Sequence, residues 1–543
     1  MANLTTVTRI SQEKHPRNIS KHLNYGTAGF RSRATELDHI LYRMGVLAAL
    51  RSKSKDGDTI GVMITASHNP EEDNGVKLID PLGEMLESSW EKHATCLANA
   101  GDEEFQVVLS EIVETFKIDM NCKSSVAIGM DTRASSPGLN TAVVDGVKSV
   151  DGLCFDYGTI TTPQLHYMVR CINTRNAYGM ATIEGYCNKL SKALKNIWQN
   201  QGERKVYKPH IIVDCANGVG AKRLKDIAER FDKILSIEIR NAGEGKLNYR
   251  CGADYVKVNQ RGPEGIDCIE GQKYASFDGD ADRIVFYYTD KDNIFHLLDG
   301  DKVATLIASY LIGLIRKCGL ELNLGIVQTA YANGNSTAYI QDELKVPVAC
   351  VCTGVKHLHR KALEFEIGVY FEANGHGTIL FSDSALSKIE SSCSSSSNES
   401  EKLSANELRT FVDLVNQTVG DSISDMLIVE TILRDKDWDV ADWDKSYRNL
   451  ANRLLVVKVN DRSVFETTNA ERTVIKPTGL QKAIDDHVKL FPNGRSFVRP
   501  SGTEDVVRIY AESDTQENAD QLALAVAKST YDLAGGTGNL PTL

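Results

Sequence analysis

The segment Asp278-Gly279-Asp280-Ala281-Asp282-Arg283 alternates three carboxylates with two small residues. At strand-like spacing the three acids share a face. Anions that converge so closely need a cation, and a hard divalent ion with oxygen ligands suits them; Mg²⁺ fits where the ion also holds a phosphate oxygen. An EF-hand is excluded, because its loop position 6 would be Arg283 instead of Gly and position 12 would be Thr289 instead of Glu. A second loop, Thr65-Ala66-Ser67-His68-Asn69-Pro70, continues into Asp73-Asn74-Gly75-Val76-Lys77. A serine in a turn at a strand end lies beside backbone N–H groups, which suits a nucleophile or a phosphate carrier. Ser67 and His68 are chain neighbours, a poor arrangement for a protease-like triad. A third loop offers Glu372, Asn374 and His376 to one face, as sugar hydroxyls would require, and Lys356 in Gly354-Val355-Lys356-His357 adds a cation. The fourth, Arg499-Pro500-Ser501-Gly502-Thr503-Glu504 with Arg508 beyond it, combines two arginines, two hydroxyls and a glycine N–H, an oxyanion-binding set. Each loop alone also reads as a plain polar turn. Together they supply a nucleophile, a metal, sugar contacts and a phosphate clamp, which points to phosphoryl transfer involving a phosphosugar.

These loops must be positioned by elements that the pattern indicates. Thr59 to Ile64 reads as a strand entering the serine loop. Val126 to Gly129, His210 to Val213 and Gly325 to Gln328 are β-rich runs, each followed by a polar loop and a helical segment. That alternation predicts α/β units with ligands at the strand C-ends. Phe277 and the run Ile284 to Tyr288 set the acidic loop between buried strands. The last hundred or so residues differ: a strand from Leu454 to Val459, a helix from Leu480 to Leu490, a hairpin around RPSGTED, and a final helix with Ala519, Leu522, Val526 and Leu533 on one face. Asp514 and Glu517 have capping-box spacing at its start. Ser391 to Ser400 is too polar to bury apolar surface and reads as a flexible surface insertion.

With 543 residues, at about 150 per domain, three or four domains are expected. A composition of 42% hydrophobic and 25% charged residues is that of a globular chain able to bury sizeable cores. The net charge of −11 argues against a general affinity for nucleic acid or anionic membrane, though not against a local basic pocket. Val303 to Ile315 is the longest mainly apolar stretch and falls short of the roughly 20 residues of a membrane helix. No secretory leader is evident, and the twelve cysteines form no CxxC pair, so reduced thiols and a cytoplasmic location are expected.

TASHNP, DGDADR, FEANGH and RPSGTED match, in order, the signature loops of the α-D-phosphohexomutase superfamily. The finer wording, including YGTAGFR at Tyr25–Arg31, TGVKHLH and FVRPSGTEDVVR, resembles its acetylglucosamine branch. Gly129-Met130-Asp131-Thr132-Arg133 follows the serine loop instead of preceding it, a rearrangement that also marks that branch. The resemblance spans nearly the whole chain. It implies an α/β, four-domain architecture around a central cleft: three α/β domains with mixed sheets (1–175, 176–297 and 298–438) and a smaller α+β domain (439–543). It implies a mutase interconverting N-acetylglucosamine 6-phosphate and 1-phosphate, toward UDP-N-acetylglucosamine, with one Mg²⁺ and a hexosamine 1,6-bisphosphate intermediate. Ser67 would carry the phosphoryl group and, with Asp278, Asp280 and Asp282, hold the metal. His68, Lys77, Arg31 and Arg133 would move protons or stabilise charge. Arg283, Lys356, Glu372, Asn374 and His376, with Arg499, Ser501, Gly502, Thr503 and Arg508, would bind the substrate. The alternatives are glucose or mannose phosphate specificity, a metal-assisted serine phosphatase, and a non-catalytic phosphosugar-binding protein.

Overall fold

Ile60–Ile64 carries no polar side chain and is buried at every position, the pattern of a strand covered on both faces. In the computed structural model, which describes residues 4–199, 201–231, 234–395, 397–501 and 505–543, it lies between antiparallel Asp73–Ile79 and parallel Ser125–Met130. Phe30–Arg33 and Leu153–Thr159 complete a five-stranded mixed sheet. Helix Asp38–Lys53 is buried almost all the way round, because it packs against both this sheet and helix Ser136–Ser149. In the second sheet, Tyr274–Phe277 and Ile284–Thr289 pair antiparallel with Phe277 opposite Ile284. Residues 278–283 are therefore the connection of a hairpin whose strands are wholly buried. Tyr274–Phe277 also runs parallel to His210–Asp214, and Phe295–Leu298 and Ser236–Arg240 form the sheet edges.

A third sheet places Leu324–Thr329 between parallel Val348–Val351 and Ile367–Phe371, with Gly377–Phe381 at the edge. A fourth is antiparallel: Val506–Ser513 lies between Ala451–Lys458 and Arg495–Pro500. Leu522, Ala523, Val526 and Ala527 of helix Gln516–Leu533 share its core with Val498, Val507 and Ile509. The chain divides into two compact units: Met1–Asp299, Asn374–Thr378 and Asn406–Ala441 in one, and Gly300–Ala373, Ile379–Ala405 and Asp442–Leu543 in the other. Among the described residues no helix is long and apolar enough to cross a membrane.

Two local expectations are corrected. The serine-rich stretch, expected as a flexible surface insertion, is largely helical among the described residues: helix Asp383–Ser395 ends in it and Glu399–Leu414 begins in it. Ala385, Ile389 and Cys393, four residues apart, are buried along the first of these, a stripe that a window starting at Ser391 cuts off. The final helix is capped by Thr515, whose hydroxyl accepts from Asn518 N. Asp514 instead accepts from Asn518 Nδ2, so the cap lies one residue beyond the expected one.

Candidate active site

The serine loop leaves its strand at Thr65, whose hydroxyl donates to Asp131 Oδ2 (2.8 Å) and accepts from Ser67 N (3.0 Å). Ser67 is fully buried with φ +52°, a left-handed conformation that is costly for a non-glycine residue and held by its surroundings. Arg133, also buried, does much of that holding. Its Nη1 donates to Pro70 O (2.5 Å) and Asp73 O (2.9 Å), and its Nη2 to Ser67 O and Asn69 O (both 3.0 Å). Its Nε pairs with Asp131 at 2.9 Å. Asn248, from the second sheet's domain, donates to the same carbonyls of Ser67 (2.8 Å) and Asn69 (3.1 Å). Apart from the Asp131 pair, these bonds reach the backbone, so they fix the loop's path and leave Ser67 Oγ to other partners. Arg133→Met is expected to cost about 3–5 kcal/mol, since Asp131 is left buried without its cation. Urea unfolding of the full chain measures this, and Arg133→Lys should rescue little because one ammonium cannot span these acceptors.

Ser67 Oγ donates to Asp278 Oδ2 at 2.6 Å. The acidic loop approaches this closely because of Gly279, where a Cβ would meet Ser67 O at 2.7 Å. Asp278 Oδ1 accepts from Asp282 N (3.0 Å) and Arg283 N (3.3 Å). Asp280 Oδ2 accepts from Thr162 Oγ1 (2.5 Å) and Lys77 Nζ (3.4 Å), and Asp282 Oδ2 from Lys77 Nζ (3.0 Å). One carboxylate oxygen from each of the three aspartates falls within 4.8 Å of the others, and all three residues are buried. Burial, then the charges of Asp282 and Asp280, hold the Asp278 carboxyl well above the usual range. Burial also works against Asp282, but Lys77 and His376 outweigh it and hold that carboxyl well below.

The donor set fits a hard cation. Lys77 takes Oδ2 of Asp280 and of Asp282, while Oδ1 of each is buried without a hydrogen-bond partner. Two buried carboxylate oxygens without hydrogen bonds beside a third acid are costly unless a cation joins them.

Around this centre, His68 Nδ1 is 3.5 Å from Ser67 Oγ. The Arg283 guanidinium, then burial, push its imidazole down to about 2, so His68 is neutral at physiological pH. Arg31 Nη1 donates to Asn69 Oδ1 at 3.3 Å. Burial and then Arg283 lower its pKa. Arg283 Nε lies 3.9 Å from Asp278 and 3.8 Å from Asp282. Burial opposes the charge on Lys77, but Asp282 and Asp280 outweigh it and its pKa is raised.

The loop expected to bind the sugar is split. His376 is buried, and its Nδ1 lies 2.6 Å from the carbonyl of Asp282, so this ring braces the acidic loop. Gly375, at φ +87°, makes room: a Cβ there would meet Ile284 O at 1.9 Å. Asn374 Oδ1 accepts from His376 N at 3.0 Å. Glu372 lies at the end of the other unit's portion of the loop and is partly exposed. Lys356 is on helix Val355–Ala362, which begins after Gly354.

In the second unit the hairpin Arg495–Pro500/Val506–Ser513 sets Arg499 directly opposite Arg508. Like charges facing across strands are unfavourable unless an anion lies between or beside them. Ser501 N donates to Val506 O at 2.8 Å. Gly502 and Thr503 lie outside the described residues. Arg499 Nε donates to Glu471 Oε1 at 2.9 Å. Burial works against the arginine's charge, but Glu471 outweighs it and its pKa is raised.

The sequence reading missed Thr162, Asn248 and Glu471, and took Arg133 for a proton-transfer or charge-stabilising group. Only Arg133 carried a signal, the Asp131/Arg133 spacing; the others sit in stretches with no chemistry-bearing pattern.

Known proteins resemble this chain over nearly its whole length. Residues 299–438 and 177–285 match the models of phosphoacetylglucosamine mutase AMG1 domains III and II. Residues 457–529 match the phosphoglucomutase/phosphomannomutase C-terminal domain, and 34–105 with 106–189 match α/β/α domain I of that group. The phosphoacetylglucosamine mutase of Homo sapiens is 55% identical over 520 residues, 96% of this chain and 96% of that protein. A crystal structure of an N-acetylglucosamine-phosphate mutase, described as an α-D-phosphohexomutase superfamily member in its substrate complex, superimposes with a TM-score of 0.93 at 47% identity, covering 97% of this chain and 99% of that one. The N-acetylphosphoglucosamine mutase of Aspergillus fumigatus, in complex with GlcNAc-6P and magnesium, gives 0.93 at 45%, covering 98% and 99%. With four domain models in register and more than half of the residues shared with a full-length relative, the chain belongs to the phosphoacetylglucosamine mutase family of the α-D-phosphohexomutase superfamily.

Proposed function

We propose that the chain interconverts N-acetyl-D-glucosamine 6-phosphate and 1-phosphate through a phosphoserine at Ser67 and a 1,6-bisphosphate intermediate. The 2.6 Å contact between Ser67 Oγ and Asp278 in the acidic cluster carries this reading. Phosphorylated Ser67 gives its phosphoryl group to O1 of the 6-phosphate; the P–Oγ bond breaks as the P–O1 bond forms, and the O1 hydroxyl proton passes to Ser67 Oγ. The bisphosphate reorients, its 6-phosphoryl group returns to Ser67, and the 1-phosphate is left. When the group returns, the P–O6 bond breaks as the P–Oγ bond forms, and the Ser67 hydroxyl proton, donated to Asp278 Oδ2 in the free site, passes to O6.

Asp278, Asp280 and Asp282, with a phosphoserine oxygen, would hold Mg²⁺, which supplies electrostatic stabilisation of the charge on the transferring group. Arg31 and Arg283, whose charges both act on His68, set a positive field beside Ser67. His68, neutral, orients without adding charge. Lys77 balances the acid pair. Arg499, Arg508 and Ser501, with Gly502 and Thr503, hold the phosphate that is not reacting, and Glu372, Asn374 and Lys356 take the sugar in both orientations. His376 contributes through the acidic loop. Segments 1–175, 176–297, 298–438 and 439–543 divide these tasks among four domains. Twelve free thiols suit a reducing cytosol.

Rates measured side by side on N-acetylglucosamine, glucose and mannose 6-phosphates test the specificity. The N-acetylglucosamine compound is expected to have the highest kcat/KM, with no inorganic phosphate released. Faster turnover of glucose or mannose phosphate would shift the assignment within the superfamily, and stoichiometric phosphate release would make the chain a phosphatase.

A further inference from the structure

Glu471 has no place in the reaction as described, yet it joins Arg499, which does, to Thr353. Its Oε1 accepts from Arg499 Nε at 2.9 Å, and its Oε2 accepts from Thr353 N at 2.9 Å and Thr353 Oγ1 at 2.6 Å. Thr353 directly precedes Gly354 and the helix Val355–Ala362 that carries Lys356. Glu471 thus ties the phosphate-loop arginine to the turn before the lysine helix, and all of these residues lie in the same compact unit.

The backbone around Glu471 is unusual. Glu466–Thr468 and Thr473–Lys476 form a small hairpin. In its turn Asn469, Ala470 and Glu471 have φ of +54°, +55° and +65°, three consecutive non-glycine residues in the left-handed region, which L-residues enter at a cost. Such strain persists where the surroundings hold it; here the bonds of Glu471 to Arg499 and Thr353 and those of Arg472 to Asn469 supply that hold. The pair is also largely sheltered, with 20% of the Arg499 side chain and 17% of that of Glu471 exposed.

The geometry points to Glu471 as a positioning residue for phosphate binding: by taking Arg499 at Nε it turns the Nη1/Nη2 edge toward the substrate's non-reacting phosphate, and through Thr353 it holds the Lys356 turn in the same register. This deepens the phosphate-loop reading above and rests on it. An arginine offers a planar fork of donors, so a carboxylate on Nε fixes the plane in which the other edge binds an oxyanion. Cross-strand Arg508 would push an unheld Arg499 aside, and Glu471 offsets that repulsion.

The test is steady-state kinetics on the full-length, Mg²⁺-loaded enzyme with N-acetylglucosamine 6-phosphate, for E471A, E471Q, R499A and the E471A/R499A double variant, with thermal unfolding of each. E471A is expected to raise KM about tenfold with kcat within about threefold of the parent, because the lost contact serves ground and transition states alike. E471Q keeps an oxygen for Arg499 but loses the acceptor for Thr353 N, and its KM should fall between the two. The double variant should have a KM no higher than R499A alone. If R499A raises KM but E471A leaves it within twofold, Glu471 only braces the hairpin and the inference fails. It fails equally if E471A lowers KM, which would make Glu471 a competitor of the substrate, or if the effects of the two substitutions multiply. If R499A itself leaves KM unchanged, the phosphate-loop reading is overturned and the inference with it. Should E471A not fold, E471Q alone decides, since an unchanged KM there contradicts the clamp.

Discussion

Ser67→Ala is expected to reduce formation of the 1-phosphate by at least roughly 10⁴-fold while leaving the fold intact. The substitution removes one oxygen. The loop's path does not depend on it: Ser67 N donates to Thr65 Oγ1, and Ser67 O accepts from Arg133 and Asn248. Alanine at φ +52° meets the same backbone cost as serine, so only the hydrogen bond to Asp278 and the long contact with His68 are lost, about 1 kcal/mol. Without the oxygen no phosphoryl group can be stored between the two half-reactions. Intact-mass measurement should find a single added phosphoryl group on the parent enzyme after exposure to a sugar bisphosphate, and none on the variant. A variant retaining a tenth of the parent rate would remove Ser67 from the mechanism.

Asp280→Asn is expected to act in opposite directions on activity and on metal-free stability. The asparagine keeps an oxygen to accept from Thr162 Oγ1, which donates to Asp280 at 2.5 Å, and Lys77 keeps its closer partner Asp282 at 3.0 Å. One of three mutually repelling buried charges is removed, so without metal the variant should melt slightly higher. A gain of about 1 kcal/mol corresponds to roughly 2–4 °C for domains of this size. With magnesium in excess the order should reverse. The parent gains about 2.7 kcal/mol at a hundred times its dissociation constant, and the variant, with a ligand neutralised, gains much less. Activity should fall by roughly 10²–10³-fold, because the charge developing on the transferring group loses its preorganised counter-charge. Thermal unfolding in EDTA and in magnesium reads both signs. If the variant melted lower than the parent in EDTA and gained the same increment from magnesium, the cluster would not be a cation site.

The sequence carried the reactive groups more clearly than their supports. Ser67 and the aspartates at 278, 280 and 282 sit in short loops between apolar strands, and strand periodicity sets which way such side chains point. The buried runs Ile60–Ile64 and Tyr274–Phe277 were legible for the same reason. The supports come from distant positions of ordinary composition. Nothing local marks Thr162 as the donor to Asp280 or Asn248 as a partner of Ser67 O, because those contacts span more than a hundred residues. His376 shows the converse. Its motif suggested a sugar contact, but a left-handed glycine turns the loop so that its Nδ1 meets Asp282 O. The serine-rich helices were hidden because the buried stripe of Ala385 and Ile389 precedes the polar run. Glu471 was hidden because its direction depends on three left-handed residues, of which only Asn469 favours that region.

In the proposed cycle Ser67 lends a phosphoryl group to the sugar and takes a different one back. Enzyme carrying isotopically labelled phosphate on Ser67, mixed in single-turnover amounts with unlabelled N-acetylglucosamine 6-phosphate, tests it directly. The label is expected to leave the protein and appear in the phosphate at C1 of the product, with the unlabelled phosphate now on Ser67. Product formed while the label stays on the protein, or label released as inorganic phosphate, would contradict it.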